Sequence, residues 1–150
     1  MESDSYELEN VTIDNLTFEE IIGAGGMGHI WRAYDHELDI PVAVKVLPPH
    51  LANDQAFLVR FLREARAIAR LDHPNIVRVY QAGRKVLDGR NLRIMVMELI
   101  EGVDARALRL FEPDERIAPA RAAEITLAVA KALKYAHGKG MIHRDIKPAN

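Results

Sequence analysis

The feature that most constrains the fold is a run of glycines between two stretches that alternate like β-strands. Residues 23–28 read G-A-G-G-M-G and fit the pattern G-x-G-x-x-G, whose glycines let backbone amides approach phosphate oxygens closely. The residues that follow directly, His29 to Tyr34, alternate with a period of two, as a strand does. In a dinucleotide-binding fold a helix would have to follow the glycines instead. The glycines are therefore predicted to lie at the tip of a hairpin, although an ordinary glycine-rich turn would show the same string.

The other strands are predicted from short runs rich in apolar, β-branched and aromatic residues. Asp88-Gly89 separates the last two of these runs and predicts the turn of a second hairpin. We therefore expect five strands, in an antiparallel arrangement, at residues 17–22, 29–34, 41–47, 76–82 and 92–99.

Two segments have helical spacing instead. The first begins near Asn53, and either Asn53 or Asp54 can cap its N-terminus. The second runs from Pro119, a residue favoured at the first helical position, to about His137, and Gly138 is expected to end it. Little chain remains to cover the apolar stripe of the second helix, so we expect self-association through this helix. The stripe consists of Ile125, Val129, Ala132, Leu133 and Ala136.

The composition argues against several classes of protein. The 150 residues are 49% apolar and 28% charged, as in soluble globular domains. A net charge of -2 without long charged blocks gives no indication of a nucleic-acid partner. The absence of cysteine argues against disulfides, thiolate metal sites and redox chemistry. Residues 1–12 are interpreted as a polar leader rather than a signal peptide, and the lack of a long apolar run argues against membrane contact.

One lysine lies within an apolar strand, where it requires an anionic partner. Residues 42–45 read V-A-V-K, and we expect Lys45 on the face of the strand opposite Ala43. An ammonium group there would be costly without a carboxylate or a phosphate nearby. Glu64, on the first helix, offers a carboxylate, and such a pair can neutralise nucleotide phosphates. A surface lysine with its stem along the sheet is the alternative, and for an isolated lysine it would be preferred.

The most specific string in the chain is H-R-D-I-K-P-A-N at residues 143–150, which fits H-R-D-x-x-x-x-N. It places a base, a cation and a metal ligand at fixed offsets, and phosphoryl transfer mainly requires such positioning. Asp145 can accept the proton of a hydroxyl group, and Asn150 can offer an oxygen to Mg²⁺. His143 is expected to be a packed, hydrogen-bonded core histidine that supports the loop rather than reacting.

These strings together resemble a known family. The chain is similar to eukaryotic-type serine/threonine protein kinases of the kind common in bacteria. The resemblance implies an α+β fold, in which residues 13–100 form a small lobe of a five-stranded antiparallel sheet plus one helix. Residues 101–150 would be the exit from the hinge and the first helices of an incomplete helical large lobe. The matching strings are residues 22–30 (IGAGGMGHI), 42–45 (VAVK), 63–64 (RE), 73–77 (HPNIV) and 143–150 (HRDIKPAN).

The resemblance also implies catalytic roles for the residues that match. Lys45 would bind the α and β phosphates of ATP, and Glu64 would hold Lys45. Asp145 would be the catalytic base. Lys147 would act near the γ-phosphate, and its presence points to Ser and Thr hydroxyls of protein substrates as the acceptors. Asn150 is the implied Mg²⁺ ligand.

A larger set of residues is implied to contact ATP. Met97 would be the gatekeeper, the backbone of Glu98 and Ile100 would face the adenine edge, and Asp104 would contact the ribose. Arg144 would pair with a phosphate on an activation loop. The implied ATP-contacting residues are Ile22, Gly23, Ala24, Gly25, Gly26, Met27, Gly28, His29, Ile30, Ala43, Lys45, Met97, Glu98, Ile100 and Asp104.

One part of the family pattern has no match in the sequence. The D-F-G motif, the activation loop and the substrate-docking helices would follow Asn150, so we expect the 150 residues alone not to phosphorylate protein. A non-catalytic nucleotide-binding or regulatory module is the alternative, but such relatives usually lose the lysine or the aspartate that is present here. A dinucleotide-binding oxidoreductase is disfavoured because no helix is predicted after the glycines. The expected location is the cytoplasm, including that of a longer membrane-anchored receptor kinase.

Overall fold

The computed structural model describes residues 7–25 and 28–149, apart from the side chain of Glu64. These residues form two compact units. The first unit contains the chain up to Arg70 together with Arg78–Leu99, and the second contains Leu71–Val77 and the chain from Ile100 onward. The segment Leu71–Val77 thus belongs to the second unit, although the sequence places it inside the small lobe.

The first unit is built on one antiparallel sheet, which confirms the α+β class. The strand order is β1-β2-β3-β4-β6-β5. The two-residue β1 is a sixth strand that the sequence pattern did not predict, because it is too short to show a period. The fourth predicted strand begins at Val79 rather than Ile76, because the Ile76 amide donates a hydrogen bond of 3.0 Å to the His73 carbonyl in a turn. The strands are β1 Thr12–Ile13, β2 Leu16–Gly25, β3 Gly28–Asp35, β4 Ile40–Val46, β5 Val79–Leu87 and β6 Arg90–Glu98.

The two long helices agree with the predicted ones, with small corrections at their ends, whereas the short helix at Pro49–Ala52 was not predicted. Asp54, not Asn53, caps the first long helix, because its carboxylate accepts a hydrogen bond of 3.0 Å from the Phe57 amide. The last helix extends one residue further than predicted, because Gly138 is still helical. The glycine in a left-handed conformation after the helix is Gly140 (φ 77°). The helices are α1 Pro49–Ala52, α2 Gln55–Ile68, α3 Ala105–Leu108 and α4 Pro119–Gly138, with 3₁₀ turns at Arg109–Phe111 and Pro113–Glu115.

The two faces of the sheet pack into separate cores. On one face Phe18 and Trp31 meet edge to face, with ring centroids 6.0 Å apart. Leu8, in the segment expected to be a polar leader, is fully buried in this core, so packing begins before residue 12. A lone leucine among acidic residues carries no periodic signal from which this could be predicted. The buried members of this core are Leu8, Ile13, Leu16, Phe18, Trp31, Ala33, Val42, Val44, Val46, Leu92, Ile94 and Val96.

The opposite face of the sheet is covered by α2. The helix buries Leu58, Phe61 and Ala65 against the sheet, where Val79 and Met95 contact them. Burying a side chain such as Phe61 stabilises the fold by about 1.5–3 kcal/mol. The amphipathic spacing that predicted this helix therefore also predicted the side on which it packs.

A polar cluster joins the turns at one end of the sheet. Asp35, at the end of β3, is 4% exposed, and its Oδ1 accepts hydrogen bonds from Asn15 Nδ2 (2.6 Å) and from the amides of Glu37 (2.9 Å) and Leu38 (3.1 Å). Burial alone would raise the pKa of the Asp35 carboxyl, but the three hydrogen bonds and the charge of Lys85 together lower that pKa below its ordinary value. Asp35 thus stays ionised and holds the two turns together.

Across residues 7–25 and 28–149, no helix combines the length and the apolar character that a membrane span requires.

Candidate functional site

The glycine run forms a hairpin, as predicted. Strands β2 and β3 pair antiparallel through Gly23 with Ile30, Ala24 with His29 and Gly25 with Gly28. A strand follows the glycines, which excludes the strand-turn-helix arrangement of a dinucleotide-binding fold. The two residues at the tip, Gly26 and Met27, lie outside the described residues.

Gly28 has a structural role that the sequence did not reveal. Its φ is 106°, a conformation that favours glycine, and a Cβ atom there would overlap the carbonyl oxygen of Val46 and lie 3.0 Å from Pro48 Cδ. The start of β3 therefore approaches the end of β4 more closely than any side chain would permit. By contrast, a Cβ at Gly23 would make only ordinary contacts of 3.6 Å with Ile30.

Lys45 lies in the middle of the sheet, in β4. It is paired with Ile30 on β3 and with Met95 on β6, and it is half-buried. The expectation that it faces away from Ala43 was wrong: residues two apart in a strand share a face, so Ala43 and Lys45 both lie on the side covered by α2. This correction places Lys45 on the same side of the sheet as the helix that carries Glu64.

Position 64 lies on α2 one turn after Phe61 and next to Ala65, both of which are buried against the sheet. The helix therefore carries this position close to its sheet-facing side. The side chain of Glu64 lies outside the described residues, so its contact with Lys45 stays a prediction.

The residues predicted to hold the adenine are distributed over the end of β6 and the chain beyond it. Met97 is half-buried and is paired with Ala43 on one side and Val79 on the other. Glu98 is the last residue of β6, and its amide donates to the Arg78 carbonyl (2.8 Å). Ile100 belongs to the second unit, and its side chain is exposed.

Asp104, predicted to contact a ribose, also caps a helix. Its carboxylate accepts a hydrogen bond of 2.7 Å from the Ala107 amide at the start of α3. A cavity of about 290 Å³ opens beside it, lined by Asp104, Arg106, Ala107, Arg109 and Leu110. An aspartate directly before the helical run Ala105–Leu108 is a cap signal that the sequence did carry.

The string at residues 143–149 forms an irregular loop after α4. Asp145 Oδ2 and Lys147 Nζ form an ion pair at 2.9 Å, and both side chains are largely exposed. The Asp145 amide donates to His143 Nδ1 (3.2 Å), so the histidine makes a hydrogen bond within the loop. The expectation that it packs in a core was wrong, because His143 is exposed. Arg144 adopts a left-handed conformation (φ 68°), which is uncommon outside glycine.

A backbone contact that the sequence did not predict also holds this loop. The Arg106 amide donates to the Pro148 carbonyl at 2.9 Å, so α3 and the loop are joined within the second unit. Because this contact uses only main-chain atoms, no residue type could have indicated it. Asn150, the predicted Mg²⁺ ligand, lies outside the described residues. Within the described part of the chain, no three His, Asp or Glu side chains come together as a metal site.

Comparison with known proteins agrees with this arrangement. The family model described as protein kinase domain matches residues 16–150. The chain is 44% identical over 137 residues to the serine/threonine-protein kinase PknB of Mycolicibacterium smegmatis, covering 91% of this chain and 22% of that protein. It is 42% identical over 130 residues to a probable serine/threonine-protein kinase of Streptomyces coelicolor, covering 87% of this chain and 19% of that protein. The chain thus spans about a fifth of the length of these curated relatives.

A solved structure gives the same result for the fold. The crystal structure of the Mycobacterium tuberculosis PknI kinase domain superposes with a TM-score of 0.78 at 34% sequence identity. The superposition covers 94% of this chain and 55% of the PknI chain. The chain belongs to the protein kinase domain family, and the curated relatives it matches are named serine/threonine-protein kinases.

Proposed function

We propose that the protein transfers the γ-phosphoryl group of ATP to Ser and Thr hydroxyls of protein substrates, in a reaction that uses Mg²⁺. The observation that supports this proposal most directly is the ion pair between Asp145 and Lys147, at 2.9 Å on an exposed loop. A carboxylate base and a cation for the γ-phosphate are thereby adjacent. Transfer in these kinases demands positioning and charge neutralisation more than covalent participation of the protein.

In the proposed reaction the substrate hydroxyl oxygen forms the new bond to the γ-phosphorus, and the bond from that phosphorus to the β–γ bridging oxygen breaks. Asp145 accepts the hydroxyl proton, and ADP leaves with the electron pair of the broken bond. Lys147 leaves its ion pair with Asp145 far enough to contact the γ-phosphate. Asn150 would hold Mg²⁺ in part, and the metal would supply charge neutralisation of the phosphates.

The first unit supplies the residues for the phosphate side of the nucleotide. Lys45 is half-buried in β4, opposite Ile30 of the glycine hairpin, so a phosphate drawn under the hairpin would neutralise its charge. We assign Glu64 to hold Lys45, because position 64 lies on the helix that covers the same face of the sheet. The amides of residues 22–30 would cover the phosphates.

The remaining assignments concern the adenosine and the regulation of the enzyme. We assign Met97 as gatekeeper, the backbone of Glu98 and Ile100 to the adenine edge, and Asp104 to the ribose through the carboxylate oxygen that does not cap α3. Ala43, which is paired with Met97 across the sheet, would pack beside the adenine. Arg144, exposed next to Asp145, would receive a phosphate from an activation loop. We place the reaction in the cytoplasm, where ATP and reduced proteins occur together.

The test measures transfer of labelled γ-phosphate from ATP to a generic protein substrate, with Mg²⁺, by the natural protein that carries these residues. We expect Asp145→Asn to lower the rate at least 100-fold, since a positioned base contributes about 10²–10⁴. The matched control Asp88→Asn, in an exposed turn, should leave the rate unchanged. ATP binding without any transfer by the natural protein would refute the proposal in favour of a regulatory nucleotide-binding module.

We further propose that a polypeptide of these 150 residues alone binds ATP without transferring phosphate, because it contains no D-F-G string to complete the metal site. The same labelling assay tests this, with binding followed by a fluorescent ATP analogue. Phosphate incorporation that disappears in Asp145→Asn would contradict it.

A further inference from the structure

A basic cleft opens between α4 and the segment Leu71–Val77, within the second unit. It is shallow and open to solvent, with a volume of about 440 Å³. The described residues that line it include three lysines and a histidine but no acidic side chain. The lining residues are His73, Lys131, Lys134, Tyr135, Gly138 and Lys139.

Tyr135 fixes one wall of the cleft. Its hydroxyl oxygen accepts a hydrogen bond from the Asp72 amide (3.2 Å), and its ring lies 5.3 Å from the His73 ring at an angle of 35°. The ammonium group of Lys139 lies 5.8 Å from the ring centroid, in a cation–π contact. Because the hydroxyl oxygen accepts in its contact with Asp72, its proton can be donated to an anion.

The lysines form a row whose length can be compared with that of a ligand. Lys131 and Lys134 are one helical turn apart, so their Cβ atoms lie about 5–6 Å from each other. From Lys131 to Lys139 the row extends over roughly 12 Å along the helix axis. An extended peptide advances roughly 3.3 Å per residue, so about four residues span the row, and alternate side chains lie about 6–7 Å apart on one side. This spacing fits acidic residues at alternating positions better than one isolated phosphate group.

We propose that this cleft docks an acidic, extended segment of a protein substrate, with Asp or Glu side chains at alternating positions facing Lys131 and Lys134. That the docked segment belongs to a substrate rests on the phosphoryl transfer proposed above. The position supports this role, because α4 leads directly into the loop that carries Asp145. The Met141 amide bonds back to the Ala136 carbonyl (2.9 Å) and fixes the start of that connection.

The first experiment measures binding of a fluorescein-labelled peptide of alternating Glu and Ala to the full chain by fluorescence anisotropy. We expect the double variant Lys131→Glu, Lys134→Glu to bind at least about tenfold more weakly, and the double Arg variant at the same positions to bind normally. The matched control is Arg66→Glu with Arg70→Glu, which makes the same charge change at exposed residues of the first unit. A peptide with Gln in place of Glu should not bind.

Unchanged affinity in the lysine variant would overturn the proposal, and so would an equal loss in the arginine control. If a single-stranded oligonucleotide binds as tightly as the peptide or more tightly through the same two lysines, the peptide-docking proposal is wrong and the cleft is a nucleic-acid site. Because peptide binding needs no catalysis, a protein that binds the peptide but transfers no phosphate refutes the proposed function and still supports acidic docking.

The second experiment compares phosphorylation of two substrates, identical except for an acidic tail, by the natural protein. We expect the lysine variant to raise KM several-fold for the acidic substrate alone and to leave kcat unchanged for both. A parallel change for both substrates would show a structural defect and would overturn the docking role.

Discussion

Replacing Asp35 with alanine should destabilise the chain by about 2–4 kcal/mol. Asp35 accepts three hydrogen bonds through one buried oxygen, from Asn15, Glu37 and Leu38. A hydrogen bond to a charged group contributes about 1.5–3 kcal/mol, which gives a gross value of about 4.5–9 kcal/mol. Burial of the carboxylate offsets part of this, and the released amides lie in surface turns where water can reach them. Asp35→Asn keeps an acceptor oxygen and loses only the charge, so we expect that variant to be destabilised by about 1 kcal/mol.

The assay is urea unfolding followed by the fluorescence of Trp31, the single tryptophan of the chain. Trp31 is 4% exposed and lies in β3, the strand that ends at Asp35. With a slope of about 1.5 kcal/mol per molar urea, a loss of about 3 kcal/mol moves the midpoint by about 2 M. Glu37→Ala is the matched control: it removes a neighbouring exposed carboxylate and keeps the amide that donates to Asp35.

The pH dependence provides an independent check. Because the folded-state pKa of Asp35 is lowered, its stabilisation is fully present above the unfolded pKa, about 3.9, and is lost as the pH falls through the folded value. The difference in the free energy of unfolding between the parent chain and Asp35→Ala should therefore be constant above about pH 5 and become smaller below about pH 4. A difference no larger than that of Glu37→Ala, or one that does not change in acid, would refute the reasoning.

Three further outcomes are expected. Gly28→Ala should destabilise the chain by about 2–4 kcal/mol in the same urea assay, because Gly28 has a positive φ and a Cβ there would overlap the Val46 carbonyl. The control Gly83→Ala, with open space around it, should change the free energy of unfolding by no more than about 0.5 kcal/mol. Asp104→Ala should speed hydrogen exchange of the α3 amides and raise the KM for ATP several-fold, whereas Asp104→Asn should keep the helix cap. Normal amide exchange in the alanine variant would contradict the capping role. Val129→Glu, at a half-buried position within the apolar stripe of α4, should reduce self-association measured by light scattering, whereas Leu127→Glu, 55% exposed outside that stripe, should not. A parent chain that is already monomeric at all concentrations would contradict that expectation.

The sequence was sufficient to predict five of the six strands in the described sheet, because the signals for strands and hairpins are local. Period-two alternation on both sides of the glycines predicted the pairing of β2 with β3, and Asp88-Gly89 predicted the pairing of β5 with β6. The segments that were missed lack such signals. Strand β1 has only two residues, and Leu8 is a single apolar residue in an acidic segment. Their places depend on packing partners far along the chain.

Prediction of the candidate site was limited in the same way. Motif spacing singled out Lys45 and Asp145 as candidates. The face assigned to Lys45 was wrong although the period of two already places Lys45 and Ala43 on one face. The need for glycine at position 28 depends on where the end of β4 passes, and no local pattern encodes that. Sequence patterns indicate which chemical groups are present. The space available around each group is set by tertiary contacts.

The loop of residues 143–149 combines fixed backbone with accessible side chains, and this combination suits phosphoryl transfer. Its main chain is held at two points, by the Asp145 amide on His143 and by the Arg106 amide on Pro148. The carboxylate of Asp145 and the ammonium of Lys147 remain largely exposed. Since an ion pair between exposed groups stabilises a fold by only about 0–1 kcal/mol, separating the two costs little. In the reaction proposed above, a γ-phosphate would attract Lys147 while the loop keeps Asp145 in place to accept a hydroxyl proton, so we infer that the pair serves the reaction more than the stability of the fold.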